Sequence, residues 1–355
     1  MNTPLKDILI KRIEATGPIT LADYMADCLM HPEHGYYSQQ KIFGAEGDFI
    51  TAPEVSQMFG EMLGLWLVDR WYKMDKPNNV HLIELGPGRG TLMEDILRAT
   101  EPVPDFHDAF TVHFIETSQQ LRALQAQKVP HATWHDDLSS VPDGPTLLVA
   151  NEFFDALPIH QFEKQDGRWC ERRVHTEGSD LTMVLTSAGP KFALTNPALH
   201  GGPDGSILEV CPAGLSVAGA IAERLFAYGG AAIIIDYGYR KSAVGDTFQA
   251  MKNHAFCNPL EAPGEADLTT HVAFDQIATA ASSKGAAAFG AAAQGPFLMA
   301  LGLGERAQQL AAATDAQGQE RVLSELTRLT SSDAMGTLFK TLALQDPKLP
   351  APPGF

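Results

Sequence analysis

The residues best suited to chemistry lie in Glu84-Leu85-Gly86-Pro87-Gly88-Arg89-Gly90-Thr91, where an apolar run ends and a helical pattern begins. Glycines at such a junction permit a tight turn and let a ligand approach the backbone at a helix N-terminus. The spacing here is G-x-G-x-G, whereas dinucleotide sites use G-x-G-x-x-G, so a nicotinamide dehydrogenase is a weak reading. Glu116 ends the next apolar run, 30 residues after Gly86. A carboxylate there can accept two hydrogen bonds from a ribose diol. In Trp134-His135-Asp136-Asp137-Leu138, either Asp136 or Asp137 could accept from an adenine amino group, with the backbone near Leu138 facing the ring.

An acid two positions before the first glycine completes E-x-G-x-G-x-G, a pattern that resembles the S-adenosylmethionine (SAM) site of class I methyltransferases. Glu84 is then expected to help hold the ammonium of the methionine part. Asn151, Glu152 and Asp155 follow the apolar run TLLVA, and ligands of open sheets lie outside the carboxyl ends of strands. Two acids and an amide beside Phe153 and Phe154 are therefore expected to face a crevice and to be catalytic. Methyl transfer from a sulfonium needs mainly an aligned nucleophile and excluded water. No Ser-His-Asp set, metal cluster or nucleophilic cysteine is required, and the sequence offers none.

An arginine acceptor would arrive charged, and carboxylates in fork geometry would orient its guanidinium. Glu152 and Asp155 are candidates for that work, with Glu209 in ILEVCP a third. Asp48, Thr51 and Glu54, in GDFITAPE, could close over the cofactor. The same stretch also reads as a helix start, with Asp48 or Thr51 capping and Pro53 in the first turn. His254 and His271 bound a stretch that reads as a long lid or binding loop, and either histidine is a candidate base or a surface residue.

These residues need a scaffold that brings strand ends together. From Val80 the chain alternates short apolar runs with helical segments, the signature of a parallel α/β sheet. VHLIELG, FTVHFIE, TLLVANEFF and AAIIIDYG read as strands, with helices over 91–100 and 118–127. AAAFGAAA and TLFKTLALQ read as late strands, separated by a helical stretch over 296–334. The texture of 159–200 reads as an antiparallel insertion, and 54–74 as one long apolar helix.

Composition narrows the class. The chain has 355 residues, 45% hydrophobic and 19% charged, and 26 basic against 43 acidic side chains give a net charge of −17. Such a surface repels phosphate backbones and excludes nucleic acid as a bulk partner. Cys28, Cys170, Cys211 and Cys257 lack metal-ligand spacing, which fits a reducing compartment and no metal site. Residues 286–304 carry no charge but are rich in Ala and Gly, so they read as buried core rather than a membrane span.

The blocks GDFITAPEVSQMFGEMLG, IELGPGRGTLMEDIL, NEFFDALPIHQF, IIDYG, PGEADLTTHVAF and MGTLFKTLAL occur in the order found in the MidA-like methyltransferases, which the chain resembles over roughly residues 5 to 345. That family includes a mitochondrial complex I assembly factor regarded as a protein arginine methyltransferase acting on a core subunit of NADH dehydrogenase. The resemblance implies a class I, Rossmann-like α/β fold: a mostly parallel seven-stranded sheet, an antiparallel last strand, a β insertion and a helical cap. The expected division is a helical cap over 1–75, a SAM-binding core over 76–158, 205–295 and 335–347, a β insertion over 159–204, and a helical insertion over 296–334 that packs with the cap. It implies a SAM-dependent methyltransferase acting on an arginine of a protein, linked to complex I assembly. A small-molecule acceptor and a non-catalytic SAM-binding assembly chaperone are the alternatives. The N-terminus reads as a folded helix rather than a presequence, so the expected setting is bacterial cytoplasm, or mitochondrial matrix for a mature form.

Overall fold

Apolar runs long enough to be covered on both faces set up the central sheet. The computed structural model describes residues 3–38 and 51–355, and the chain divides into two units. The larger unit spans Ile50–Phe153, Val217–Arg240 and Ala273–Phe355. Its strands are β1 (Val80–Leu85), β2 (Phe110–Ile115), β3 (Thr133–His135), β4 (Thr146–Asn151), β5 (Gly230–Tyr239), β6 (Ala287–Ala293) and β7 (Phe339–Gln345). They lie in the order β6-β7-β5-β4-β1-β2-β3, with a two-residue strand at 272–273 off this path. β3, β2, β1, β4 and β5 are mutually parallel, and β7 runs antiparallel to both neighbours. This is the mostly parallel sheet with an antiparallel last strand that the family resemblance implies. Because order reverses between β1 and β4, the carboxyl ends of those two strands flank the crevice where open sheets bind ligands.

Helices α1 (Gln57–Lys73), α2 (Thr91–Thr100) and α3 (Gln119–Lys128) belong to the same unit. Phe59, Leu63 and Trp66 of α1 share a core with Leu92, Ile96, Leu147 and Ile233. The helices Leu303–Ala312 and Ala316–Thr330 contribute Leu303, Ala307, Val322 and Leu329 to that core. Buried Glu61 on α1 receives Arg306 Nε at 2.6 Å, Arg306 Nη2 at 3.0 Å and Arg98 Nη1 at 3.3 Å. Across β1, β2 and β3, His81 Nδ1 lies 2.9 Å from His113 Nε2, and His113 Nδ1 lies 2.9 Å from His135 Nε2. Burial, then the adjacent imidazoles, pushes His113 down to about 4.

The smaller unit spans Met1–Phe49, Phe154–Ser216 and Lys241–Val272. Its antiparallel strands His160–Gln165, Arg168–Glu177, Asp180–Ser187 and Ile207–Val210 form a sheet with Ile19–Thr20 at one edge. Helices Pro4–Thr16 and Leu21–Met30 bury Leu5, Leu9, Tyr24 and Met25 against Ile159, Val174 and Leu181. A second, three-stranded sheet joins Gln249–Lys252 with Ala255–Cys257 and Asp267–Thr269.

Three expectations change. Segment 1–75 is divided, its first helices falling in the smaller unit and α1 in the larger; 154–158, 205–216 and 241–272, expected in the core, belong to the smaller unit. The helix expected over 54–74 is broken: Ala52–Val55 ends at Ser56, which is extended (φ −161°, ψ 136°) and whose Oγ accepts from Met58 N at 3.2 Å. A hydroxyl placed there satisfies an N–H that the next helix leaves open. The stretch 254–271 is not a loop throughout, since two of its segments are strands.

Candidate functional site

The glycine turn joins β1 to α2. Gly86, Gly88 and Gly90 have φ of +61°, +52° and +78°, a region that residues with a Cβ adopt only at a cost. At Gly86 the need is also spatial, because a Cβ would sit 2.9 Å from Cδ2 of Phe153. Gly86 N donates to Ile115 O at 3.0 Å and Gly90 N to Pro87 O at 2.7 Å, which fixes the turn against β2.

Glu84 stands on β1 beside Phe114 and Val149 of the flanking strands. It is 3% exposed and its Oε2 has no hydrogen-bond partner among the described residues. Burial pushes its carboxyl up to about 8. An unsatisfied buried carboxyl is costly by itself and is well matched to a cationic donor. Glu116, just past β2, accepts from Ser118 N at 2.8 Å and from Gln125 Nε2 at 3.2 Å. Burial raises its pKa, and those hydrogen bonds oppose the rise.

The two acids after β3 are both engaged. Asp136 is exposed and ion-paired with Arg122, which also grips the Glu116 carbonyl with Nε at 2.7 Å. Asp137 caps the short turn Leu138–Ser140, accepting from Ser139 N at 2.9 Å and Ser139 Oγ at 2.6 Å, and those bonds lower its pKa. Leu138 is half-buried there.

Asn151 closes β4 and Glu152 follows with φ +49°. Asn151 Nδ2 and Ala52 N both donate to Glu152 Oε1 at 3.1 Å. Asn151 Oδ1 is buried with no partner among the described residues. Glu54 is near this region through Thr91, whose Oγ1 donates to Glu54 Oε1 at 2.8 Å. Thr51 sits at the helix N-cap without a side-chain capping bond, so its expected capping role is not made by its hydroxyl. Asp48 lies outside the described residues.

The larger unit thus brings together Glu84, the three glycines, Glu116, Asn151 and Glu152 at the carboxyl ends of β1, β2 and β4. Asp155, Glu209, His254 and His271 belong to the smaller unit. Asp155 is buried and its carbonyl accepts from Thr270 N at 3.0 Å. Glu209 is spent on its own fold, accepting from Gln161 Nε2 at 2.7 Å, Thr247 N at 2.9 Å and Thr247 Oγ1 at 2.6 Å. Three donors from this unit occupy a carboxylate that was expected to receive a guanidinium. His254, with Asn253, forms the positive-φ turn of an exposed hairpin. His271 is half-buried, and its backbone N–H donates to Thr247 Oγ1 at 3.0 Å.

Sequence reasoning missed Gln125. Its side chain is fully buried on α3 and contacts both the glycine turn and Glu116. A glutamine on a polar helix gives no local signal of contacts made across 37 residues.

The donor set fits SAM. Buried Glu84 offers an ammonium an oxygen unpaired among the described residues, the glycine turn presents bare backbone, and Glu116 offers a diol acceptor at the end of the neighbouring strand. A family model described as "Putative S-adenosyl-L-methionine-dependent methyltransferase" matches residues 62–292. "Protein arginine methyltransferase NDUFAF7 homolog, mitochondrial" of Drosophila melanogaster is 39% identical, covering 94% of this chain and 83% of its own length. The Homo sapiens protein named "Protein arginine methyltransferase NDUFAF7, mitochondrial" is 33% identical over 96% of this chain and 83% of its own. A protein of Burkholderia thailandensis, solved with S-adenosyl-homocysteine bound, shares the fold with a TM-score of 0.87 at 24% identity, covering 100% of this chain and 96% of that one.

Proposed function

We propose, for a chain that belongs to the MidA-like family of SAM-dependent methyltransferases, that the methyl acceptor is an arginine of a protein. The observation that carries this reading is the pairing of Asn151 Oδ1, buried without a partner among the described residues, with the Glu152 carboxylate at the end of β4. One group seeks an N–H donor and the other is a formal anion, which together suit a guanidinium better than a hydroxyl or a thiol. The names of the Drosophila and human relatives support the same acceptor.

In this reading Glu84 holds the ammonium of the methionine part, Gly86 to Gly90 leave room for it, and Glu116 accepts from the ribose hydroxyls. Asp136 or Asp137 and the Leu138 backbone border the adenine. When bound, SAM would supply an electrophilic methyl on a sulfonium, the new nitrogen–carbon bond replacing the sulfur–carbon bond, with S-adenosylhomocysteine as the neutral leaving group and one guanidinium proton passing to solvent. Glu152, held by Ala52 N and Asn151 Nδ2, orients the guanidinium and localises its lone-pair density. Thr51 and Glu54 stand beside the end of β4 and the start of α2, with Asp48 preceding them in sequence. Glu209 and His254 take no part in this reading, and His271 is left to the smaller unit.

The protein substrate we infer is a core subunit of NADH dehydrogenase, in a reducing compartment, either bacterial cytoplasm or mitochondrial matrix. Four cysteines, none of them in a disulfide among the described residues, agree with such a compartment, and no helix among the described residues is long and apolar enough to cross a membrane. The test incubates the protein with methyl-labelled SAM and an extract from cells lacking its gene, followed by mass spectrometry. Label on an arginine of a complex I subunit, lost in Glu152→Gln, is the expected result. Label confined to small molecules, or no transfer with SAM bound, would replace this reading with one of the two alternatives.

A further inference from the structure

Gln125 occupies an unusual position for a helix glutamine. It has no exposed surface, yet every polar atom of its side chain is satisfied. Its Oε1 accepts from Trp134 Nε1 at 2.7 Å, and its Nε2 donates to Gly88 O at 2.7 Å and to Glu116 Oε2 at 3.2 Å. The indole N–H can only donate, so Trp134 decides which way the amide faces. With Oε1 committed to the indole, both N–H groups must point to the glycine turn and to Glu116. One amide therefore ties the turn after β1, the acid after β2 and a residue of β3 into one network.

The Glu116 carboxylate is clamped from two sides, Oε1 by Ser118 N and Oε2 by Gln125. Each carboxylate oxygen can accept twice, so the clamp fixes the rotamer and leaves capacity for a diol. The Gly88 carbonyl is held by the same amide, so the turn and the acid keep a constant separation. Gly90 closes the other side, where a Cβ would lie 3.4 Å from the Gln125 Cα. The absence of a side chain at Gly90 lets the helix pack this close to the turn.

We infer that Gln125 is the positioning residue for nucleoside recognition, its amide setting the Glu116 carboxylate and the Gly88 carbonyl in the register that a ribose diol requires. This inference rests on the cofactor placement proposed above. Gln125 does not touch the ligand in this account; it acts through Glu116. Losing its N–H to Glu116 also removes one influence that keeps this carboxylate ionised.

Calorimetric titration of wild type, Gln125→Met and Gln125→Glu with S-adenosylhomocysteine and its 2′-deoxy analogue separates the possibilities, with melting curves to certify folding. Methionine matches the shape and cannot donate, so its affinity for S-adenosylhomocysteine should fall roughly tenfold or more. The deoxy analogue should bind wild type and Gln125→Met nearly alike, because Glu116 has less to grip in either case. Gln125→Glu sets a second carboxylate against Glu116, and its deficit relative to wild type should narrow as pH falls and the new side chain regains a donor proton. Equal losses for both ligands, or wild-type affinity in a folded Gln125→Met, would overturn the inference. Should the methionine variant not fold, the pH trend of Gln125→Glu decides alone, a pH-independent deficit counting against. Failure of wild type to bind S-adenosylhomocysteine would instead strike the cofactor placement itself.

Discussion

Glu84→Gln tests whether the buried acid on β1 waits for a cation. Glutamine keeps the shape of the protonated side chain and does not titrate. In the folded chain without ligand, Glu84 holds its proton to about 8, against 4.5 for an ordinary glutamate. Between these values the unfolded chain has released a proton that the folded chain still binds, so stability is present at low pH and drains away as pH rises. Linkage puts the loss at about 1 kcal/mol at pH 5.5 and about 4 kcal/mol at pH 8, a difference on the order of 3 kcal/mol. Urea unfolding of the ligand-free proteins at the two pH values reads it directly: Glu84→Gln should gain on wild type by that amount as pH rises. Any constant cost of the new amide N–H cancels in the comparison. The same carboxyl must ionise to meet an ammonium, so wild type should release about one proton on binding S-adenosylhomocysteine at pH 7, and the variant none. Calorimetry in buffers of different ionisation enthalpy measures that release. A wild-type to variant gap that stays flat between pH 5.5 and 8 would refute the argument, since Glu84 would then be charged and solvated already.

Three further outcomes follow from the same geometry. Gly86→Ala meets both a φ of +61° and the Phe153 ring, so S-adenosylhomocysteine binding should fall at least tenfold while far-ultraviolet circular dichroism stays native. Arg306→Met strips the bidentate partner from buried Glu61 and should cost about 3 kcal/mol in urea unfolding, whereas Glu61→Leu, which leaves two arginines able to reach water, should cost less. His113 titrates near 4 when folded rather than at its ordinary 6.5, so the protein should lose at most about 3 kcal/mol between pH 6.5 and 4 as the unfolded chain takes up the proton; His113→Asn should flatten that acid limb.

The central strands of the sheet were legible because their runs are long and largely apolar. VHLIEL, FTVHFI and TLLVAN end within a few residues of where the text of the chain suggests, and the glycine spacing singles out the turn between them. What escaped depends on distant partners. The break at Ser56 trades one long helix for two, a choice made by a single hydroxyl at an N-cap inside an otherwise continuous apolar pattern. Ala255–Cys257 and Asp267–Thr269 are three residues each, too short for alternation to register. Glu209 looked available because Gln161 and Thr247 are 48 and 38 residues away along the chain. The relation of Gln125 to Gly88 was hidden for the same reason.

The positive φ at Glu152 carries a consequence for anyone who would make this protein hardier. A β-carbon in that backbone region is disfavoured by roughly 1 to 2 kcal/mol, so glycine at 152 would relax the backbone while leaving Ala52 N and Asn151 Nδ2 without their acceptor. Heat tolerance at this position is a balance between those two effects, and a stability screen should pair Glu152→Gly with Glu152→Gln, which keeps an acceptor oxygen.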